Sequence, residues 1–296
     1  MVKVRHRRPS DHVDVRFFAL PDDLAPCFTS IYRCRLRAPA GQSIVDTLLP
    51  EWANLRFFTG VPPQVRSNRD GAIVQTHFGV TGPSSRPLHF ELASTSMWGI
   101  GLLPLGWARF VGGPAEEFAD RVIDGFEHEL FAPLVPLAEA LQNSTASDEQ
   151  QFDLILDTFR KLAPLPRDAQ RILRIHEAML DPYLVDVSKL AETVGLTKRT
   201  LERTCGKYFG FPPRFLLRRQ RIMRSLSAFM LSEGKSWTET IDRHYHDQAH
   251  FVHEFHAFMG MSPSEFVALD HPIIEAIIAE RQRIWGPPAN EPDGLG

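Results

Sequence analysis

Residues 188–209 read SKLAETVGLTKRTLERTCGKYF, and their spacing restricts the fold more tightly than any other stretch of the chain. Ser188 is a predicted N-cap for a short helix that Gly195 ends, and a second helix starts after Thr197. The apolar positions that recur at helical spacing are Leu190, Ala191 and Val194 before the glycine and Leu201, Cys205 and Phe209 after it. This pattern predicts a helix-turn-helix unit.

The second of these helices has a surface rich in hydrogen-bond donors away from its apolar stripe. Its polar residues are Lys198, Arg199, Glu202, Arg203 and Lys207. A helix that enters the major groove of DNA needs such groups to reach base edges and phosphates. The same pattern alone also fits an ordinary helical hairpin whose solvated face is basic.

The flanking charge favours the nucleic-acid interpretation. Residues 196–235 contain ten lysines and arginines but only two acidic residues, a local balance of +8, whereas the whole chain has a formal charge of −3. Positive charge confined to one segment is typical of a surface that binds a polyanion.

A second copy of the pattern follows a long basic helix that is predicted to begin after Pro212 and Pro213. Residues 237–243 form a short helical segment, and Asp247 is a predicted N-cap. Phe251, Phe255 and Met259 then recur every four positions before Gly260. The sequence Ser262-Pro263-Ser264-Glu265 predicts a capping box, and therefore one further helix.

Two such units joined by a basic helix resemble the DNA-binding domain of the AraC/XylS family of transcription regulators. The residues that carry the resemblance are Leu190-Ala191, Gly195-Leu196, Leu201-Glu202-Arg203, Phe209-Gly210, Asp247-Gln248, His250-Phe251, Phe255 and Gly260-Met261-Ser262-Pro263. The resemblance implies that each unit places a helix in the major groove. The implied base contacts are Arg199, Glu202, Arg203, Gln248, His250 and His253. The expected phosphate contacts are Lys198, Lys207, Arg218, Arg219, Arg221 and Arg224.

The second unit departs from the family pattern in two respects. The family usually has a glycine in the turn, where this chain reads Asp242-Arg243-His244-Tyr245. Residues 236–271 also contain six acidic residues against Arg243 alone, a balance of −5, so phosphate should repel this unit. We therefore expect the first unit and the connecting helix to supply most of the affinity, and the second unit to add register.

The second unit is rich in histidine, and three of these residues share one helical face. His246, His250 and His253 are spaced i, i+4, i+7, which suits zinc chelation in principle. No cysteine or glutamate completes a familiar site, so the sequence predicts neither a metal nor another cofactor.

Composition limits the remaining possibilities. The chain is 43% hydrophobic and has no apolar run near twenty residues, so no membrane span and no membrane partner are expected. The cysteines, Cys27, Cys34 and Cys205, are too few and too scattered for a disulfide framework or a zinc site, which suits a cytoplasmic protein.

The N-terminal part differs in texture, because short apolar runs alternate with glycine and proline. Strands are predicted at residues 28–36, 44–49, 54–58, 72–80, 88–92 and 97–103. They suggest a sandwich or small barrel. Residues 99–122 resemble, more weakly, a strand-to-helix corner of AraC-type N-terminal domains. The predicted fold is multidomain α+β. Its predicted segments are a β-rich domain with a basic N-terminal arm (1–114), a helical connector (115–166), the DNA-binding domain (167–271) and a short helix with a disordered tail (272–296).

The β-rich domain could hold a small-molecule effector. Trp52, Phe57, Trp98 and Trp107 are the candidate lining of an aromatic pocket, although a domain of this size needs such side chains for its core. The apolar face of residues 152–162 could pack inside the chain or form a homodimer seam.

The sequence thus predicts a sequence-specific regulator of transcription that binds double-stranded DNA and is modulated by its N-terminal domain, with an effector, RNA polymerase and a second copy as open partners. It is not expected to be an enzyme. Two alternatives stay open: a DNA-modifying enzyme with Cys27 or Cys34 as nucleophile, and a non-specific nucleoid-type protein.

Overall fold

The computed structural model describes residues 12–39, 41–68, 70–231 and 237–285. The predicted basic arm and disordered tail fall on residues 1–11 and 286–296, which lie outside the described residues. Within the described part, a β-rich N-terminal half is followed by helices, so the predicted fold class is confirmed.

The strands form two antiparallel sheets. Their bounds are β1 Val13–Phe18, β2 Phe28–Leu36, β3 Ile44–Leu48, β4 Ala53–Gly60, β5 Gln64–Arg66, β6 Ile73–Gln75, β7 Phe78–Thr81, β8 Leu88–Leu92, β9 Thr95–Leu102 and β10 Val122–Asp124. The larger sheet has the order β1-β2-β9-β4-β7-β10 and the smaller has the order β3-β8-β5-β6. Strands distant in sequence, such as β2 and β9, are therefore neighbours.

The helices lie mainly after the sheets. Their bounds are α1 Pro104–Phe110, α2 Ala115–Phe118, α3 Val135–Gln142, α4 Asp148–Leu162, α5 Ala169–Leu180, α6 Val187–Thr193, α7 Lys198–Phe209, α8 Pro213–Met230, α9 Trp237–Thr240, α10 Gln248–Met259, α11 Pro263–Ala268 and α12 Pro272–Trp285. Two short 3₁₀ helices, Ala25–Cys27 and Glu129–Leu134, complete the described elements.

The prediction that residues 115–166 form a helical connector is only partly correct. Helix α2 ends at Phe118, and Asp120 then turns the chain with a positive φ of 61°. Val122–Asp124 forms β10, which pairs antiparallel with β7 at the edge of the larger sheet. The β-branched pair Val122 and Ile123 favours a strand, and the free edge of β7 supplies the partner.

Helix α4 covers one face of the larger sheet. Its apolar residues Ile155 and Phe159 are fully buried, and Phe159 packs edge-on against Phe28 of β2. At its N-terminus, Asp148 accepts hydrogen bonds from Arg35 of β2 at 2.6 Å. The apolar face that could have formed a dimer seam is therefore used within the chain.

The first hydrophobic core extends across the boundary between the β-rich half and the helices. It runs from β2 and β9 through α1 and α4 to Leu201, Cys205 and Phe209 of α7. A second cluster surrounds Phe251 and Phe255 of α10, and a third joins β1 and β2 to α12. The β-rich half and α7 thus share one continuous core.

Gly99 of β9 provides a test of this packing, because an added Cβ would overlap the buried ring of Tyr32 on β2. We expect Gly99→Ala to destabilise the chain by about 2 kcal/mol through overpacking. Urea denaturation should show the loss. Gly79→Ala in β7 is the matched control, because its Cβ would lie an ordinary 3.6 Å from Phe58. Equal stabilities of the two variants would contradict the tight contact.

Candidate DNA interface

The first unit consists of α6 and α7. Helix α6 is capped by Asp186, whose carboxylate accepts hydrogen bonds from the backbone of Ser188 at 2.8 Å and Lys189 at 3.0 Å. The predicted cap at Ser188 is therefore wrong, because an aspartate two residues earlier makes both bonds. Gly195 has a φ of +67°, and the hydroxyl of Thr197 caps α7 by accepting from Thr200 N at 3.2 Å. The predicted turn and second helix are correct.

Helix α7 separates its apolar and polar residues as the spacing requires. Leu201, Cys205 and Phe209 are completely buried. The opposite side is exposed and carries Lys198, Arg199, Glu202, Arg203 and Lys207. Arg199, Glu202 and Arg203, the expected base contacts, are spaced i, i+3, i+4 and so lie on one face. A helix anchored on one side with these side chains in solvent has the form that a major groove accepts.

Helix α8 uses its cations differently from the expectation. Glu254 of α10 accepts hydrogen bonds from Arg218 at 2.7 Å and from Arg221 at 2.9 Å, and Arg224 donates to Asp242 at 2.7 Å. In the structure, these three arginines thus link the second unit to α8, and their contacts with phosphate stay a prediction. The pairs also neutralise two of the six acids that gave this unit its negative balance.

Arg219 is a clear correction to the expected phosphate contacts. Only 2% of its surface is exposed, its Nη1 donates to the backbone oxygen of Glu51 at 3.2 Å, and its guanidinium lies 3.7 Å from the ring centroid of Trp52. It cannot reach a phosphate in this structure. Its spacing from the buried residues Leu216 and Ile222, three positions either side, places it on the apolar face of α8, and this spacing was the available signal.

The second unit consists of α9 and α10. Helix α10 is capped by Asp247, which accepts from His250 N at 2.7 Å, and it ends at Gly260 with a φ of 71°. The turn lacks the usual glycine, and hydrogen bonds to Asp242 stabilise it instead. The Asp242 carboxylate accepts from His244 N, and its backbone oxygen accepts from Tyr245 N, at 2.9 and 3.0 Å.

The expected contacts of the second unit differ in exposure. Gln248 and His253 are exposed, whereas His250 is half-buried with its ring 5.2 Å from that of Tyr245. Among the described residues there is no group of three or more His, Cys, Asp or Glu side chains that could hold a metal ion.

Glu254 is the functional residue of this unit that the sequence did not reveal. It is buried, and it also accepts from the hydroxyl of Tyr245 at 2.7 Å. Burial acts to raise the pKa of its carboxyl, but hydrogen bonds from Arg218 and Tyr245 and the charge of Arg221 lower that pKa below the ordinary value. The carboxylate therefore stays charged and holds α8 and α10 together.

In the described part of the structure, the four residues of the predicted aromatic pocket pack into the core and line none of the described cavities. Trp52, Phe57, Trp98 and Trp107 are all buried. The indole of Trp98 donates to Gln151 at 2.8 Å, that of Trp107 donates to Gly113 O at 2.7 Å, and Phe57 stacks on Phe78. A cavity beside Arg56 and Tyr32 has a volume of only about 40 Å³, which is too small for a typical effector.

The cysteines do not suit nucleophilic chemistry. Cys27, Cys34 and Cys205 are free and buried. Burial raises the pKa of Cys27, and it raises the pKa of Cys34 and Cys205 to about 12. A thiol with a raised pKa is a poor nucleophile, which argues against the DNA-modifying alternative.

The helices of the described residues include none with the length and hydrophobicity that a membrane span requires.

Residues 190–268, which span both units, match the family model described as a helix-turn-helix domain. Among solved structures, ToxT from Vibrio cholerae is 11% identical, with 87% of this chain and 98% of that chain covered and a TM-score of 0.45. A ToxT structure bound to an unsaturated fatty acid is 11% identical, with coverages of 78% and 97% and a TM-score of 0.42. The AraC-like transcriptional activator CuxR is 14% identical, with coverages of 73% and 88% and a TM-score of 0.24. No curated protein sequence matches the chain significantly.

Replacing Glu254 tests the junction between α8 and α10. We expect Glu254→Gln to lower the free energy of unfolding by about 3 kcal/mol at pH 7, because it leaves two arginines without their buried carboxylate. A carboxyl whose pKa is lowered on folding stabilises the protein above its ordinary pKa of 4.5 and loses that effect as pH falls through the folded pKa.

The difference in free energy of unfolding between wild type and Glu254→Gln, measured by urea denaturation, should therefore become smaller below pH 4.5. Glu192→Gln, at an exposed position on α6, is the control. It should leave the free energy of unfolding unchanged both at pH 7 and below pH 4.5. A difference that stays constant down to pH 3 would mean that the charge of Glu254 is not what stabilises the junction.

Proposed function

We propose that this chain is a DNA-binding transcription regulator of the AraC type that reads the major groove with two helices, α7 and α10. The helix-turn-helix match over residues 190–268 supports the proposal. The proposal assigns sequence specificity mainly to α7. The observation that carries it is the exposed face of α7, where Arg199, Glu202 and Arg203 stand in solvent on a helix whose other side is fully buried. Such a helix can enter a groove without rearranging its own core.

Arg199 and Arg203 are the proposed readers of base edges. A guanidinium matches the two acceptors of guanine in the major groove, and each such bidentate contact discriminates by about 1–3 kcal/mol. Glu202, between them, would accept from cytosine N4. Lys198 and Lys207, exposed near opposite ends of α7, are the proposed phosphate contacts on the two sides of the groove.

The second unit has a smaller proposed share in affinity. Gln248 and His253 are exposed on α10 and would contact bases, with His250 behind them against Tyr245. Because Arg221 and Arg224 are engaged with Glu254 and Asp242, these two cations are less available to attract phosphate. This unit would fix the register of the protein on the duplex more than it would increase the affinity for DNA.

Modulation by the N-terminal half is part of the proposal. The core shared by the β-rich half and α7 supports it. A change of packing around Trp52 would displace Phe209 of α7, because the two ring centroids are only 5.8 Å apart. An effector, RNA polymerase and a second copy of the chain are the proposed classes of partner, and the cytoplasm is the proposed location.

The central experiment is selection from a random duplex pool by the full chain at near-physiological salt. We expect wild type to enrich a sequence motif, and we expect the Arg199→Ala, Arg203→Ala double variant to lose it, because the base-reading guanidinium groups are gone. Lys189→Ala, an exposed cation on α6, is the matched control and should keep the motif.

Enrichment of the same motif by the double variant would contradict the proposal. Binding by wild type without any preference among sequences would favour the non-specific nucleoid-type alternative, since specific binding is normally at least about a thousandfold tighter.

The division of labour between the units gives a second prediction. On the selected duplex, Gln248→Ala with His253→Ala should weaken binding by about tenfold, several times less than the loss from changing Arg199 and Arg203. Fluorescence anisotropy titrations at two salt concentrations measure both effects. An equal loss in the two double variants would show that α10 contributes as much as α7.

A further inference from the structure

The exposed positions of α10 differ in chemistry from those of α7. Within α10 the buried residues are Phe251, Glu254, Phe255, Phe258 and Met259. The exposed residues of the same helix are Gln248, Ala249, His253, His256 and Ala257. These exposed positions of α10 include no acid, lysine or arginine, so the charge on this side of the helix is set by its two histidines.

Helix α7, by comparison, carries a fixed charge. Its exposed residues include four permanent cations and one acid, namely Lys198, Arg199, Glu202, Arg203 and Lys207. Lysine and arginine keep their charge between pH 6 and pH 8, whereas an imidazole with the ordinary pKa is largely protonated at pH 6 and neutral at pH 8. The charge that α10 presents to a duplex therefore depends on pH, and the charge that α7 presents does not.

His253 and His256 lie on one face of α10, because they are three positions apart. Ala249 and Ala257 lie four positions before and after His253, so they share this face. Because alanine has only a methyl group, the two imidazole rings extend furthest from this face of the helix. His256 was not among the contacts that the sequence predicted.

The charged groups that α8 and the turn place around α10 are already engaged. The pairs are Glu254 with Arg218 and Arg221, and Asp242 with Arg224 and His244. Asp247 accepts a hydrogen bond from the backbone of His250 as the N-cap. These contacts lie on the buried side of α10 or before its first turn, and not on the face of His253 and His256.

Glu265 of α11 is the acid close to this face. Hydrogen bonds from Ser262, and to a smaller extent the charge of His256, lower the pKa of the Glu265 carboxyl below its ordinary value. The carboxylate is therefore charged between pH 6 and pH 8, and it attracts a protonated His256.

His246 and His250 are less suited to carry positive charge. The ring of His250 is half-buried, and its centroid lies 5.2 Å from that of Tyr245 and 5.7 Å from that of His246. Two protonated rings at this distance repel each other, and both lie at the positive N-terminal end of α10. His256 instead lies in the last turn, where the helix dipole favours a cation.

We propose that His253 and His256 contact the duplex in their protonated form, which makes His256 a further DNA-contacting residue and makes binding by the second unit depend on protons. A protonated imidazole donates from both ring nitrogens and pairs with a phosphate oxygen, whereas the neutral ring has one donor and no charge. Because DNA favours the charged form, its binding takes up protons, and the second unit contributes more affinity as the pH falls from 8 to 6. This role rests on the proposed function, in which α10 reads the second half-site.

The test measures the affinity of the full chain for two duplexes at constant salt between pH 8 and pH 6. One duplex carries the complete motif that wild type selects at either pH, and the other carries only the part that α7 reads. His253→Gln with His256→Gln removes the titratable groups, and His253→Lys with His256→Lys makes the charge permanent. His89→Gln, at an exposed position on β8, is the matched control.

Wild type and His89→Gln should bind the complete duplex about tenfold more tightly at pH 6 than at pH 8, because the contacts that gain a charge favour the complex. Their affinity for the short duplex should be the same at both pH values. The glutamine variant should keep its pH 8 affinity at pH 6, and the lysine variant should bind the complete duplex tightly at both. The dependence of log affinity on log salt should also be steeper at pH 6, by about one unit for each protonated contact with phosphate.

A gain at pH 6 that is equal for the two duplexes, or that persists in the glutamine variant, would place the titrating groups elsewhere and overturn the inference. Constant affinity of wild type for the complete duplex from pH 8 to pH 6 would overturn it as well. In these cases the selected motif leaves the proposed function standing. If wild type selects no motif at either pH, the proposed function fails and the role of the two histidines fails with it. A variant that was merely misfolded would also lose affinity for the short duplex, which separates loss of folding from loss of the contact.

Discussion

The guanidinium of Arg219 lies on the indole of Trp52, 3.7 Å from the ring centroid, and the placement of the first unit depends on this contact. Trp52 also meets the rings of His176 and Phe209, so one side chain of the β-rich half contacts α5, α7 and α8 together. A desolvated cation on an aromatic face contributes about 2 kcal/mol. The backbone oxygen of Glu51 satisfies one of the remaining N–H groups.

Because of this contact, the helical half is not an independent domain that is connected to the β-rich half only by a linker. Leu201, Cys205 and Phe209 lie in the same hydrophobic cluster as the strands. Packed interiors transmit small displacements because they have few voids to absorb them. Changes in the β-rich half can therefore reach α7 through direct contact rather than through a hinge.

The positive charges of α8 are also engaged in contacts within the protein. The helix reads as a single basic surface, yet Arg218, Arg221 and Arg224 meet Glu254 and Asp242, while Arg219 faces inward. The acids of the second unit thus compensate the cations of α8 inside the protein. On α7, by contrast, Lys198, Arg199, Arg203 and Lys207 are exposed, which is consistent with the larger share of binding proposed for the first unit.

The sequence by itself determined the elements that short-range interactions define. The N-caps at Thr197 and Asp247, the left-handed glycines at 195 and 260 and the capping box at Ser262 all act within about four residues, and the structure has each of them. Alternation and turn residues likewise placed most strands. Only the tertiary structure decided the partners of Arg219, Glu254 and β10, because Trp52, α8 and β7 lie tens to hundreds of residues away. Spacing along α8 places Arg219 on the apolar face, but it does not show that the ring of Trp52 is the partner that accepts the buried guanidinium.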